Sequence, residues 1–195
     1  MLSKEEGKQL VELAREAIKT KLENVSLNLD NDVKDKFSEN QGCFVSLYLN
    51  NKLRGCIGIP EPVMPLWRAV VEGAKGAAFK DFRFTGITEE EFEDIKIEVS
   101  VLTVPTAIEV DSPEECINSI CIGQDGLMIK KGDCSGLLLP QVAPEQGWSP
   151  QQFLQGVCLK AGLQKDAWQE GKLYKFQAQI FSENQKGEII EKTHQ

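Results

Sequence analysis

Histidine is nearly missing from this chain: the one copy, His194, is the penultimate residue. That shortage removes the catalysts built on a positioned imidazole, since a base in a terminal tail is poorly held. No Cys-x-x-Cys pair occurs either, so structural zinc lacks a ligand set and neither metal nor cofactor is expected. Glycine-rich phosphate loops, dinucleotide fingerprints, His-Glu-x-x-His and Gly-x-Ser-x-Gly are all absent. Nucleotide, zinc-protease and serine-hydrolase chemistry therefore have no sequence support. No run approaches the roughly 18 apolar residues of a membrane span, and "MLSKEEGKQL" has no apolar leader core, so a cytoplasmic protein is expected. Basic residues are outnumbered, 22 against 30 acidic, giving a net charge of −8. Such a field repels phosphate backbones and anionic membranes, and neither is an expected partner.

What remains is ample for a core: 195 residues, 41% of them hydrophobic. Six cysteines are present, and in a reducing compartment all six are expected as free thiols. Cys43, Cys116, Cys121, Cys134 and Cys158 read as buried apolar thiols. Cys56 stands in a different setting.

Along the chain, Ser3 and Glu6 have capping-box spacing and open a helix with Leu10, Leu13, Ala14, Ala17, Ile18 and Leu22 on one face. "GCFVSLYLNNKLRGCIGI" reads as a hairpin turning at residues 50–52. Pro65 suits the first position of the next helix, whose Ala69, Gly73, Ala74, Ala77 and Ala78 call for close packing on a sheet. In "IKIEVSVLT" the isoleucines and valines face inward, while Lys96, Glu98 and Ser100 are expected on a wetter face. Ser112 and Pro113 start a short helix, Gly132 and Asp133 join two short strands, and "PQVAPEQGW" reads as a polar loop. A helix capped by Ser149 and Gln152 stops at Gly162, and "KLYKFQAQIF" is a final strand before a polar tail. Strands arriving as hairpins point to an α+β fold of antiparallel or mixed sheets with packed helices. The weakest join is near residues 104–115, suggesting subdomains 1–110 and 111–195.

Alternation in the second hairpin strand puts Leu53, Gly55, Ile57 and Ile59 on one face and Arg54, Cys56 and Gly58 on the other. Residues two apart stand roughly 6.6 Å apart on a strand, so Arg54 is expected beside the Cys56 sulfur. In an effective dielectric of about 20 that favours the thiolate by roughly 2 to 3 kcal/mol, against the cost of burial. Gly55 and Gly58 would clear room for a ligand. The bland reading is a buried thiol, packing glycines and an arginine paired to a carboxylate such as Asp81. Glu145 is a candidate base or a backbone cap, Trp148 a ligand contact or a packing anchor, and Arg83 a carboxylate clamp or an ion-pair member. Lys160 reads as a solvated lysine.

"GCFVSLYLNNKLRGCIGIPEPVMPLWRAVVEGAKGAAFKDFRF", "IEVSVLTVP" and "LLLPQVAPEQGWSPQQFLQGVCLKAGL" resemble the AMMECR family, named for the Alport syndrome, mental retardation, midface hypoplasia and elliptocytosis chromosomal region. The resemblance spans about residues 5–182, and Leu53-Arg54-Gly55-Cys56-Ile57-Gly58 matches that family's six-residue signature. Phe82 stands where the family usually has proline, in Asp81-Phe82-Arg83-Phe84. The resemblance implies a single AMMECR domain of two subdomains flanking a cleft, without implying a reaction. Two functions follow as alternatives. One is a small-molecule-binding protein or enzyme with a cleft around Arg54 and Cys56. The other is a non-catalytic adaptor for a partner such as a Memo-like or radical S-adenosylmethionine protein, whose genes often neighbour those of prokaryotic members.

Overall fold

The computed structural model describes residues 1–184 and 186–192; His194 lies outside them. In chain order the elements are α1 (Lys4–Leu22), α2 (Asn31–Lys36), β1 (Cys43–Leu49), β2 (Lys52–Ile59), α3 (Leu66–Phe79), α4 (Glu89–Asp94) and β3 (Lys96–Leu102). There follow β4 (Thr106–Ala107), α5 (Pro113–Asn118), β5 (Gly126–Lys131), β6 (Cys134–Leu138), α6 (Val142–Gln146) and α7 (Pro150–Lys160). The last three are β7 (Lys172–Phe176), β8 (Ala178–Glu183) and β9 (Ile189–Lys192). The fold is α+β. Two compact units are formed, one by residues 1–101 with the C-terminal segment from Gln179, the other by Leu102–Ala178.

The first unit is built on a five-stranded sheet of order β2-β1-β3-β8-β9. Its start is set locally: the Ser3 hydroxyl accepts from Glu6 N–H while the Glu6 carboxylate accepts from Ser3 N–H, closing the capping box. Leu10, Ala14, Ala17 and Ile18 are fully buried against the sheet residues Cys43, Val45, Leu47, Ile97 and Val99. Helix α3 lies on the same face, and its small residues explain how closely. A Cβ on Gly73 would stand 3.1 Å from a Val45 methyl, and one on Gly76 2.8 Å from Ile57. The glycines cost helix propensity, and tight helix-on-sheet packing offsets it. Pro65 sits one residue earlier than expected, as the cap rather than the first helical residue.

The β1–β2 hairpin turns at Asn50 and Asn51, with φ of 51° and 60°. Left-handed backbone at both central residues is what a two-residue hairpin of matching twist requires, and asparagine tolerates it. Register then slips once. Tyr48 pairs with Leu53 but Leu47 pairs with Gly55, leaving Arg54 as the extra residue of a β-bulge.

The opposite face of this sheet departs from the sequence reading. Glu98 and Ser100 are not wetter but 6% and 2% exposed, and Ser46 and Ser182 are equally buried. The Glu98 carboxylate accepts a hydrogen bond from Lys192 on β9, which explains how a charge is held there. Within the expected polar tail, Ile189–Lys192 is therefore a strand carrying a partner for a buried acid. "KLYKFQAQIF" is likewise two strands, since β7 pairs with β4 and β5 in one sheet while β8 pairs with β9 in the other.

The second unit packs α5 and α7 on a four-stranded sheet of order β4-β7-β5-β6, around Phe153, Leu154, Val157, Leu127 and Ile129. Ser149 and Gln152 close a capping box on α7, and Gly162 at φ 73° follows its end. The stretch expected as a polar loop contains the single turn α6, ended by Gly147 at φ 64°. Cys121 and Cys134 are exposed rather than buried. Cys121 lies in the turn after α5, and Cys134 begins β6, the strand at the sheet's edge, where little can cover a side chain. Among the described residues no helix is long and apolar enough to cross a membrane.

Candidate functional site

Strand β2 is an edge strand, so the outward N–H and C=O groups along it need partners. At Cys56 two side chains supply them. The Asp81 carboxylate accepts from Cys56 N–H at 2.9 Å, and Arg83 Nη2 donates to the Cys56 carbonyl at 3.3 Å. The same two residues form a bidentate ion pair, Nε to Oδ1 at 2.9 Å and Nη2 to Oδ2 at 2.7 Å. Asp81 also accepts from the Arg83 N–H, and Phe84 N–H closes the turn on the Asp81 carbonyl. One ion pair thus stands in for a neighbouring strand. Phe82, inside that turn, leaves it closed and is itself 95% exposed. The Asp81 carboxyl is held well below the usual carboxylate range, chiefly by Arg83 and then by the two backbone donors, against the effect of burial.

Arg54 is placed elsewhere. Its guanidinium binds Glu91 through Nε and Nη2, both at 2.9 Å, and donates to the carbonyls of Thr85 and Gly86. Glu91 also closes the capping box of α4 with Thr88. Position 54 is the bulge, and the extra residue leaves the regular alternation, which directs this side chain into residues 85–91 rather than alongside Cys56. Arg54 therefore fixes the connection from the Asp81–Arg83 turn to α4. Replacing it by methionine is expected to cost about 2 to 3 kcal/mol, because Glu91 loses its charged partner. The same change should speed alkylation of Cys56 by loosening the turn that grips it. Urea unfolding and a thiol-modification time course measure the two effects.

Cys56 is half-buried. It pairs with Ser46 across the hairpin, and the Ser46 hydroxyl donates to its sulfur at 3.2 Å. Both backbone groups of Cys56 engage the turn, the arrangement of a non-hydrogen-bonded antiparallel pair, whose side chains approach most closely. Ser46 pairs in turn with Glu98, so thiol, hydroxyl and carboxylate form a row across three strands. The thiol is not depressed as the sequence suggested. Burial pushes it up, the Ser46 hydrogen bond and Arg83 pull it down, and Asp81 and Glu98 oppose them. The nearby cation is Arg83, not Arg54.

The signature glycines are occupied by the fold. A Cβ on Gly55 would lie 2.1 Å from the Ala77 carbonyl oxygen of α3, and one on Gly58 would lie 2.2 Å from the Phe44 ring. The space they leave is filled by protein, so the expectation that they clear room for a ligand is replaced by a packing reason. Glu145 and Trp148 belong to the second unit. Glu145 is exposed on α6, while the Trp148 ring lies over Gly156 of α7, where a Cβ would approach it to 2.5 Å. Lys160 is exposed. Among the described residues no group of three or more His, Cys, Asp or Glu side chains gathers as a metal ion would need. Ser46, Glu98 and Lys192 carry no local signal for this site in the sequence, whereas Glu91 stands in capping-box spacing from Thr88. Only the bulged register could have put Ser46 opposite Cys56.

The AMMECR1 family model matches residues 11–181. A protein of Methanothermobacter thermautotrophicus is 48% identical over 186 residues, covering 94% of this chain and 97% of that one. Protein MJ0810 of Methanocaldococcus jannaschii is 48% identical over 197 residues, covering 98% of each. The crystal structure of PH0010 from Pyrococcus horikoshii superposes with a TM-score of 0.89 at 42% identity, again over 98% of each chain. By its sequence over most of its length and by its fold, this chain belongs to the AMMECR1 family.

Proposed function

We propose that the chain is a cytoplasmic small-molecule-binding protein whose site is the polar sheet face at Cys56. The observation that carries this reading is a half-buried thiol fixed on three sides, by Asp81 and Arg83 through its backbone and by Ser46 at its sulfur. A thiol that served only to fill a core would need neither the hydroxyl nor the ionic clasp. At neutral pH it is a protonated contact, because burial outweighs the groups that favour the anion. Arg83 is the electrostatic partner and Arg54 a positioning residue. The charge of −8 argues against nucleic acid as the partner.

Timed alkylation of the native protein tests the site. Exposed Cys121 and Cys134 should react first, Cys56 next, and buried Cys43, Cys116 and Cys158 last. The apparent pKa of Cys56 should lie above the free value of about 8.5 and rise further in Ser46→Ala. Small-molecule extract from the source cell should slow Cys56 alone. A thiol that no extract or compound library protects, in a protein indifferent to Cys56→Ala, would count against the site. Phe82 favours a second reading as an adaptor, since a ring 95% exposed at the tip of the clasping turn suits contact with a protein. Phe82→Ser should then abolish capture of that partner while leaving Cys56 protection unchanged.

A further inference from the structure

The ionic clasp on β2 ends in two hydrogen-bond donors aimed at one place. Along an edge strand the outward backbone groups recur at every second residue, so those of Cys56 are followed by those of Gly58. In chain direction they run from the Cys56 N–H to the Cys56 carbonyl and then to the Gly58 N–H. Asp81 accepts from the first, and Arg83 Nη2 donates to the second. The third has no hydrogen-bond partner among the described residues, and neither has Arg83 Nη1. A guanidinium is planar, and here its Nε–Nη2 side is turned to Asp81. The Nη1–H next to Nη2 therefore runs parallel to the bond that Nη2 makes to the Cys56 carbonyl, on the side away from Asp81, which is the side of Gly58. The Gly58 N–H follows that carbonyl by less than the two-residue repeat of about 6.8 Å, a gap that one acceptor oxygen spans.

We infer that this corner binds the carboxylate of the small molecule taken at Cys56, an inference that rests on the Cys56 face being a ligand site. Two donors, one of them cationic, call for an anionic oxygen. Asp81 does not compete for it, since its carboxylate already accepts from the Cys56 N–H, the Arg83 N–H and two guanidinium nitrogens. Its charge does limit the guest: Asp81 offsets part of the Arg83 charge, so a monoanion fits better than a dianionic phosphate. Arg83 is 47% exposed and within reach of such a group. The Phe44 ring covers Gly58 on the sheet face, so a molecule anchored here lays its body along the strand toward the Cys56 sulfur. Arg83 is thus ion-pair member and carboxylate clamp at once, through different edges of one guanidinium.

Acetate and acetamide, alike in shape and different in charge, test the corner when titrated into the full-length protein at constant ionic strength. The readout is the Gly58 amide signal in nitrogen-15 correlation NMR. Acetate should move it saturably and bind about fivefold more tightly than acetamide, the scale of one exposed ionic contact. Arg83→Lys keeps a cation for Asp81 but removes Nη1, and should bring the two probes to equal affinity. Equal affinities in the unmodified protein, or a Gly58 signal that acetate leaves in place at tens of millimolar, would overturn the corner. Tighter binding of inorganic phosphate than of acetate would overturn the carboxylate. Cell extract passed over an anion-exchange resin should lose its power to protect Cys56 from alkylation. A flow-through that still protects would overturn the carboxylate and leave the Cys56 site standing. An extract that never protects counts against the Cys56 site, and the acetate titration then decides the corner by itself.

Discussion

Asparagine in place of Asp81 is expected to lower the unfolding free energy by about 3 kcal/mol at neutral pH, the scale of losing several hydrogen bonds to a buried carboxylate. The side chain accepts from the N–H groups of Cys56 and Arg83 and from the Arg83 guanidinium, and its residue is 4% exposed. An amide keeps one acceptor oxygen but turns a donor toward groups that are themselves donors. Arg83 is 47% exposed, so the ionic share of the loss is screened by water, and most of it comes from the Cys56 and Arg83 amides. The pH dependence has a defined sign. In the folded protein this carboxyl is held below its ordinary range. Its contribution is therefore complete above the unfolded value near 3.9 and drains away as the pH falls from there toward the folded value. Urea unfolding of both proteins from pH 7 down to 3 measures it. The gap between them should narrow only below about pH 4. A constant gap across that range would mean that Asp81 acts through shape and not through charge. Glu91 is also held low, by Arg54 first, and adds to the acid sensitivity of both proteins alike.

Gly55→Ala should be comparably damaging for a different reason, at about 3 kcal/mol, the upper part of the usual range for overpacking. The obstacle is the Ala77 carbonyl oxygen at 2.1 Å, with its carbon at 3.0 Å. Backbone has no rotamer to yield, so α3 must lift from β2, separating Gly73 from Val45 and Gly76 from Ile57. Gly132→Ala is the control. Its φ of 58° strains an alanine but nothing lies within 4 Å of the new carbon, so a cost of about 1 kcal/mol is expected. Denaturation midpoints compare the two. Gly55→Ala no worse than Gly132→Ala would show that helix and strand are not locked at this point, and the packing account of the signature would fail.

The local grammar of the chain is legible in the order of its residues. Ser3 with Glu6 and Ser149 with Gln152 announce helix starts because a cap and its return bond lie three residues apart in sequence. Two asparagines announce the hairpin, and a small-residue face announces the helix on the sheet, because both depend on neighbours a few positions away. The surroundings of Cys56 are not legible in this way, since a single inserted residue controls them. From the turn at Asn50 and Asn51, an unbroken ladder would set Ser46 opposite Gly55 and Cys56 opposite Val45, with the thiol in the core. The bulge at Arg54 turns Gly55, Ile57 and Ile59 inward and sets Cys56 beside Ser46. Register reverses with a shift of one residue, and burial of the isoleucines against α3 decides which register wins. Asp81, Glu98 and Lys192 reach this face from positions 25, 42 and 136 residues beyond Cys56. The capped helices, the first hairpin and the family follow from the amino-acid order alone, whereas α6, β9 and the division of "KLYKFQAQIF" between two sheets do not. Which charges meet the thiol depends on the folded chain, because side chains from distant strands become neighbours through sheet pairing, and pairing is a property of the folded backbone.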